Sequence, residues 1–257
     1  MADPALLSLL GVSKSFGGIH AVHDISFEVH AGESVGLVGP NGAGKTTLFN
    51  CVCGQLRNEL GEITFQGSPL VGVPTFRRAR LGIGRTYQKV EVFTDMSVRD
   101  HLLVAERSRR GQGRLWKDLL NMSRVTSAEI ENVDATLELV GITRLAETSV
   151  NALGLGHCRL VELARALAAE PLILLADEPS SGLDVHETAE VAKVLRTVQR
   201  ERGTAILLVE HDLSMVGEVV DRTVVMDLGT KLAEGTFDEV MANSAVRQAY
   251  LGQVGAA

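Results

Sequence analysis

The apolar positions of this chain fall into three regimes. Near the N-terminus they form short runs, Leu6–Val12, Ile25–Val29, Ser34–Val38 and Glu62–Phe65, separated by Gly17-Gly18, Ala31-Gly32 and Gly67. Short apolar runs closed by glycine turns predict strands. From about Lys89 to Leu163 the apolar spacing becomes three and four, as in Val98, Leu102 and Ala105, then Ile130, Val133, Leu137 and Val140. That spacing is one face of a helix. Thr126 or Ser127 can cap the second helix, with Glu129 and Glu131 in its first turn. The last third alternates strand Leu172–Ala176, helix Val185–Arg200 stopped at Gly203, strand Ala205–Val209, a helix from Leu213 and a strand near Thr223–Met226. A further helix, Leu160–Ala168, precedes the first of these strands. Strands that are apolar throughout suit a parallel sheet covered on both faces. Alternating strands and helices around an inserted helical block predict an α/β domain.

Composition narrows this. The 257 residues can hold one domain with a subdomain inserted into it. Aromatic residues make up only 4 %, so the core rests on Leu, Val, Ile and Ala. Lys and Arg number 25 against 32 Asp and Glu, a formal charge of −7 that argues against a nucleic-acid partner. No stretch approaches the roughly 18 consecutive apolar residues of a membrane-spanning helix. The apolar start Ala5–Leu10 is too short for a signal peptide and lacks a basic segment before it. A cytosolic protein is expected, tied to any membrane through a partner. Three cysteines make no disulfide framework. Cys51 and Cys53 lie two apart on a helix and do not face each other, so they read as packing residues.

The candidate chemistry starts after the third strand. Gly39-Pro40-Asn41-Gly42-Ala43-Gly44-Lys45-Thr46 fits the spacing G-x-x-x-x-G-K-[ST], with Thr47 following it into a helix that starts near Lys45. A polyphosphate needs many inward N–H donors, so the backbone must wrap it closely. Glycines at 39, 42 and 44 permit that approach. The helix N-terminus adds partial positive charge. Lys45 can reach the β- and γ-phosphates, and Thr46 can place its hydroxyl on Mg²⁺. Alone, this loop says NTPase or kinase. Leu172–Ala176 then runs into Asp177-Glu178. Beside the loop, Asp177 can hold Mg²⁺, while Glu178 can act as general base or orient the attacking water. Adjacent residues on a strand point to opposite faces, so the two carboxylates are expected to have separate roles.

These motifs, with others in order after them, resemble the ABC ATPase family over about Leu6–Val240. The resemblance implies a P-loop NTPase (RecA-like) core, an N-terminal antiparallel β subdomain and an inserted α-helical subdomain. The cassette is expected to span 4–253, with 5–88 and 165–253 as the catalytic core and 89–164 as the insert. Gln88, in Arg85-Thr86-Tyr87-Gln88, stands where the family has its Q-loop, touching Mg²⁺ and the water. Ser181-Gly182-Leu183-Asp184 resembles the D-loop, which crosses the dimer interface. His211 stands at the place of the switch histidine on the γ-phosphate. Phe16 lies where the family stacks an aromatic on adenine, and Val22 could pack beside the base. Cofactors implied are ATP and Mg²⁺.

One segment departs from the family. Its signature, Leu-Ser-Gly-Gly-Gln, reads here Leu153-Gly154-Leu155-Gly156-His157. The family serine donates to the γ-phosphate of ATP on the opposite subunit; Gly154 has no hydroxyl. Leu155 replaces a glycine and His157 a glutamine. One lost charge-assisted hydrogen bond costs about 1.5–3 kcal/mol. An asymmetric dimer with a non-identical second ATPase subunit is therefore expected, with a degenerate homodimer as the alternative.

The segment Gly39–Asn50, the stretch from Gly84 to Ala105 and the long charged insert Arg107–Asn132 look like the ATPases of branched-chain amino-acid importers and their relatives for urea and similar solutes. The pattern departs at Asp184-Val185-His186, where an Asn-Pro stretch is usual. The resemblance implies transmembrane permease subunits, a solute-binding protein and a place on the cytoplasmic face of the membrane. The insert's Arg107, Arg109, Arg110, Arg114, Trp116 and Lys117 suit contact with membrane-subunit loops or lipid headgroups, or simply a solvated face. Val90, Val92 and Phe93 are expected to line the groove for a coupling helix. A soluble ABC ATPase and a regulatory ATP-binding subunit are the competing readings. The chain lacks the second cassette, coiled-coil and zinc insertions of the soluble types, and its intact Glu178 and His211 oppose the regulatory one. No Asn-Lys-x-Asp motif supports a GTPase.

Overall fold

The computed structural model describes residues 4–86, 96–109 and 125–251. Gly17 and Gly18, both at positive φ, turn β1 (Leu7–Phe16) into β2 (Ile19–Val29). Both strands outrun the apolar segments that predicted them. Apart from the buried Val12 and Val22, their distal halves are mostly polar or exposed, and ladder hydrogen bonds need no apolar side chain. β3 (Ser34–Val38) is buried at every residue and leads into α1 (Lys45–Cys53). β4 (Leu60–Phe65) and β5 (Ser68–Pro69) complete a four-stranded antiparallel sheet in the order β2-β1-β4-β5. α2 (Thr75–Leu81) and β6 (Ile83–Arg85) follow.

Three helices come next. α3 is Val98–Arg109 and α4 is Ser127–Val140, while α5 is Leu155–Ala168. Val98, Leu102, Val133, Leu137 and Val140 are buried as their spacing predicts; Ile130, 39 % exposed, is not. Thr126 caps α4 with its hydroxyl on the Glu129 N–H, and Glu129 returns a carboxylate oxygen to the Thr126 N–H at 2.7 Å. α5 begins five residues before the expected Leu160. Its first turn buries only Gly156 and leaves Leu155 45 % exposed, so no apolar period announces it.

The remainder alternates β7 (Ile173–Asp177), α6 (Val185–Arg202), β8 (Ala205–Val209), α7 (Leu213–Val219), β9 (Arg222–Asp227), β10 (Thr230–Gly235), α8 (Phe237–Ala242) and α9 (Ser244–Leu251). The second sheet runs β10-β9-β3-β8-β7-β6, parallel except for β10. Its two faces divide the core by strand alternation. Ile173, Leu175, Leu207 and Val209 face a cluster shared with β1, β2, β4 and α1. Leu174, Ala176, Ile206 and Leu208 face the other way, into a cluster shared with α3, α4, α5 and α6. The helical block therefore shares apolar packing with the sheet.

Candidate functional site

Register brings the candidate residues to one edge. Leu37 of β3 lies beside Val209 of β8, and Val209 beside Asp177 of β7. The three strands end level. The loop 39–44, Glu178 and His211 each follow one of those ends. Open α/β sheets bind ligands at this carboxyl edge.

Close backbone approach fixes the loop. A Cβ on Gly39 would stand 2.1 Å from the Met226 carbonyl oxygen, and one on Gly44 2.1 Å from that of Ala21. A Cβ on Gly42, φ 81°, would meet nothing within 4 Å. Gly44 caps α1 without a side-chain acceptor for the first-turn N–H groups. Those amides carry the positive end of the helix dipole. Lys45 is buried, and its Nζ donates to the carbonyls of Gly39 at 2.6 Å and Pro40 at 3.0 Å. Burial lowers its pKa, and the charge of Glu178 opposes that. An open glycine face, an uncapped helix start and a buried cation resting on carbonyl dipoles suit a polyphosphate. Thr46 is exposed beside them.

Asp177 ends β7 at 4 % exposure. Its N–H donates to Thr86 Oγ1 at 3.2 Å, and its Oδ2 accepts from Arg85 Nη2 at 3.2 Å. Arg85 also lies over the Phe49 ring, 4.9 Å from its centroid. Burial raises the Asp177 pKa, while Arg85 lowers it. Glu178 lies past the strand end in the left-handed region, φ 47°, with its N–H on the Val209 carbonyl at 2.8 Å. Glu178 therefore lies outside the strand, and strand alternation does not relate the two carboxylates. Among the described residues no group of three His, Cys, Asp or Glu could hold a metal ion. Thr46 and Asp177 fit Mg²⁺ in the manner of a nucleotide-borne ion, which takes one or two protein ligands and several phosphate oxygens.

The residues expected to meet an opposite subunit are tied together within this chain. A Cβ on Gly156 would stand 2.4 Å from Glu187 Oε1, and one on Gly182 3.1 Å from Leu155 Cδ2. Arg159 Nη2 donates to the Ser181 carbonyl at 3.3 Å. Gly154 is the N-cap of α5, and Asp184 caps α6 by accepting from the N–H groups of His186 and Glu187. Leu153 and His157 are partly buried on either side of Gly154–Gly156. Cys51 and Cys53 are both buried, and burial pushes the Cys53 thiol up to about 12.

The family model described as "ABC transporter" matches residues 22–181, from β2 through the loop and both carboxylates. The chain belongs to the ABC transporter ATPase family. A second model, "Branched-chain amino acid ATP-binding cassette transporter", matches residues 230–256 of this ABC ATPase. The chain is 39 % identical to LivG of Salmonella typhimurium, a high-affinity branched-chain amino acid transport ATP-binding protein, over 98 % of this chain and 100 % of the relative. It is 35 % identical to BraF of Pseudomonas aeruginosa, a protein of the same description, over 96 % and 98 %. Among solved structures it superposes on an ATP-binding cassette of an ABC transporter in its ADP conformation with a TM-score of 0.85, at 26 % identity, covering 97 % of this chain and 99 % of that one. The P-loop ATPase fold and ATP hydrolysis follow from this membership.

Within the cassette, Phe16 ends β1 at 47 % exposure, with Lys14 Nζ 5.2 Å from its ring centroid. Val22 has no exposed surface and packs in the core, so it offers no face to a base; that expectation is corrected. The His211 imidazole is 61 % exposed at the sheet edge. Gln88 and the strip Val90, Val92 and Phe93 lie outside the described residues, as do Arg110, Arg114, Trp116 and Lys117 of the insert. Nor is the Arg109 side chain among those described. Arg107 donates from Nε to Glu129 at 3.0 Å, which gives it a role inside the helical block. Two residues of the site carry no motif signal: Arg85, on Asp177, and Glu210, beneath His211. A carboxylate directly after the apolar run of β8 was the available sign of the second.

Proposed function

We propose that this cassette hydrolyses ATP to drive an importer of branched-chain amino acids or a related small solute. It works beneath transmembrane permease subunits, paired with a second, non-identical ATPase subunit, and a solute-binding protein delivers the solute. The observation that carries this reading is the level ending of β3, β7 and β8, which gathers Lys45, Glu178 and His211 at one edge.

The loop amides of 39–44, with Asn41, Ala43 and the first-turn residues Lys45, Thr46 and Thr47, cradle the phosphates. Lys45 leaves the Gly39 and Pro40 carbonyls for the β- and γ-phosphate oxygens. Thr46, Asp177 and Gln88 would hold Mg²⁺, which when bound draws charge from the phosphoryl oxygens. Phe16 stacks on adenine. Glu178 orients water against the γ-phosphorus and accepts its proton as the bond to the ADP oxygen breaks. His211 donates to the γ-phosphate. Residues 89–164 form the inserted helical subdomain, which presents Leu153–His157 to the opposite ATP. Ser181–Asp184 cross the interface beside it. Among the described residues no helix is long and apolar enough to cross a membrane. The cassette is held at the cytoplasmic face through the permeases.

The test is purification through a tag on the full-length chain. Integral membrane subunits and a second ATPase should co-purify, and deletion of the gene should abolish uptake of labelled leucine or a related solute. Soluble partners alone, with normal uptake, would overturn the transport reading. Gly154, which removes the signature hydroxyl, favours a second reading: a regulatory subunit with weak turnover. In that case Glu178→Gln leaves the ATPase activity of the complex unchanged.

A further inference from the structure

Glu210 follows five buried apolar residues of β8 and is itself 0 % exposed. A carboxylate is costly to bury unless donors replace its water. The donors come from two different segments. Oε1 accepts from the Ser180 N–H at 2.8 Å and the Ser180 hydroxyl at 2.7 Å. Oε2 accepts from the N–H groups of His211 at 3.1 Å and Asp212 at 3.5 Å. Both segments carry site residues. Ser180 lies in the turn that Glu178 opens, where the Ser181 N–H reaches the Glu178 carbonyl at 3.1 Å and the Leu183 N–H the Ser180 carbonyl at 3.0 Å. Asp212 caps α7 through the N–H groups of Ser214 and Met215. One carboxylate therefore joins two stretches of chain about thirty residues apart.

We propose that Glu210 is a positioning residue for hydrolysis: it locks the turn carrying Glu178 and Ser181–Asp184 to the backbone of His211. A displacement of His211 is transmitted through Glu210 to the interface loop. The two hydrogen bonds to Ser180 are charge-assisted, the strong class. This rests on the roles given above to Glu178 and His211.

The experiment measures ATP turnover in the complex purified through the full-length chain, with E178Q and H211A as controls. E210Q keeps the shape but turns an NH₂ group toward one set of donors. Its kcat should fall at least about tenfold, with the KM for ATP within roughly threefold and the melting temperature nearly unchanged. S180A should lose about three- to tenfold, S180T should regain most of it, and E210Q/S180A should be no slower than E210Q, since coupled losses do not multiply. Wild-type turnover in E210Q overturns the proposal; so do multiplicative losses, or a fall in ATP affinity and melting temperature alongside kcat. If E210Q does not fold, the serine pair decides: loss in S180A restored in S180T supports the link, and no loss overturns it. Full turnover in E178Q and H211A would instead remove the catalytic roles on which the link depends.

Discussion

At the scale of single residues, the phosphate loop shows that three glycines of one motif answer to different constraints. Gly39 and Gly44 are excluded from bearing a side chain by the Met226 and Ala21 carbonyls. Gly42 faces open space and is constrained by its φ and by whatever the loop wraps. Gly39→Ala and Gly44→Ala are expected to cost about 2–4 kcal/mol of stability, measured by denaturant unfolding. Gly42→Ala is expected to cost about 1 kcal/mol through its backbone alone. It should nonetheless weaken ATP binding about tenfold or more in a titration with a fluorescent nucleotide, because its methyl enters the space of the phosphates. Equal stability losses at all three would refute the distinction. The spacing of these glycines was legible in the sequence as one motif, although close backbone approach excludes a side chain at Gly39 and Gly44 and not at Gly42. Arg85 and Glu210 were not legible. Their partners, Asp177 and Ser180, are distant in the chain, and only register brings them within hydrogen-bond reach.

At the scale of elements, helix ends decided more than helix middles. α4 is fixed by a capping box that the sequence offered as Thr126 or Ser127; Thr126 takes the role because its hydroxyl meets the Glu129 N–H. Burial pushes the Glu129 carboxyl up, but the Thr126 N–H, Arg107 and the Thr126 hydroxyl together leave its pKa below the ordinary 4.5. A depressed pKa means that the unfolded chain binds more protons across this window. The stabilisation is therefore present above pH 4.5 and is lost as pH falls through the folded-state value. Glu129→Gln is expected to cost about 1–2 kcal/mol at pH 7. The difference from wild type should shrink in acid, as urea midpoints at the two pH values would show. A difference that persists unchanged in acid would remove the charge from the explanation. The start of α5 was not legible, since the residue its first turn buries is Gly156 while Leu155 is exposed, which leaves no apolar period to read. In the folded chain Gly156 lies close against Glu187, and Leu155 beside Gly182.

At the scale of the whole molecule, the segment Leu153–His157 and the loop Ser181–Asp184, both proposed to face an opposite subunit, lie together in one chain, with Gly156 close to Glu187 and Arg159 on the Ser181 carbonyl. What the first of these lacks is a serine hydroxyl. The triple change G154S/L155G/H157Q should raise turnover at the ATP facing it by roughly ten- to a hundredfold, the worth of one charge-assisted hydrogen bond. Steady-state ATPase assays of the purified complex would measure it. A serine at the cap of α5 should also improve the helix start. In the proposed complex, Glu178→Gln should abolish most ATPase activity while the equivalent change in the proposed second subunit leaves most of it. The reverse result would invert the asymmetry.

The sequence by itself determined most of the strands and helices, though not β5, α2, β6, β10, α8 or α9, together with the phosphate loop and the two carboxylates after the apolar strand. Each of these is local: a period, a glycine spacing or adjacent residues. Tertiary structure decided which of them meet. β8 lies between β3 and β7, so the loop and the carboxylates are joined by a strand that carries no motif except at its end. It also moved Val22 into the core, placed Arg85 on Asp177, and set Glu210 beneath both Ser180 and His211. The physical reason is that hydrogen-bond register and burial are set between segments, and no pattern within one segment encodes its neighbour.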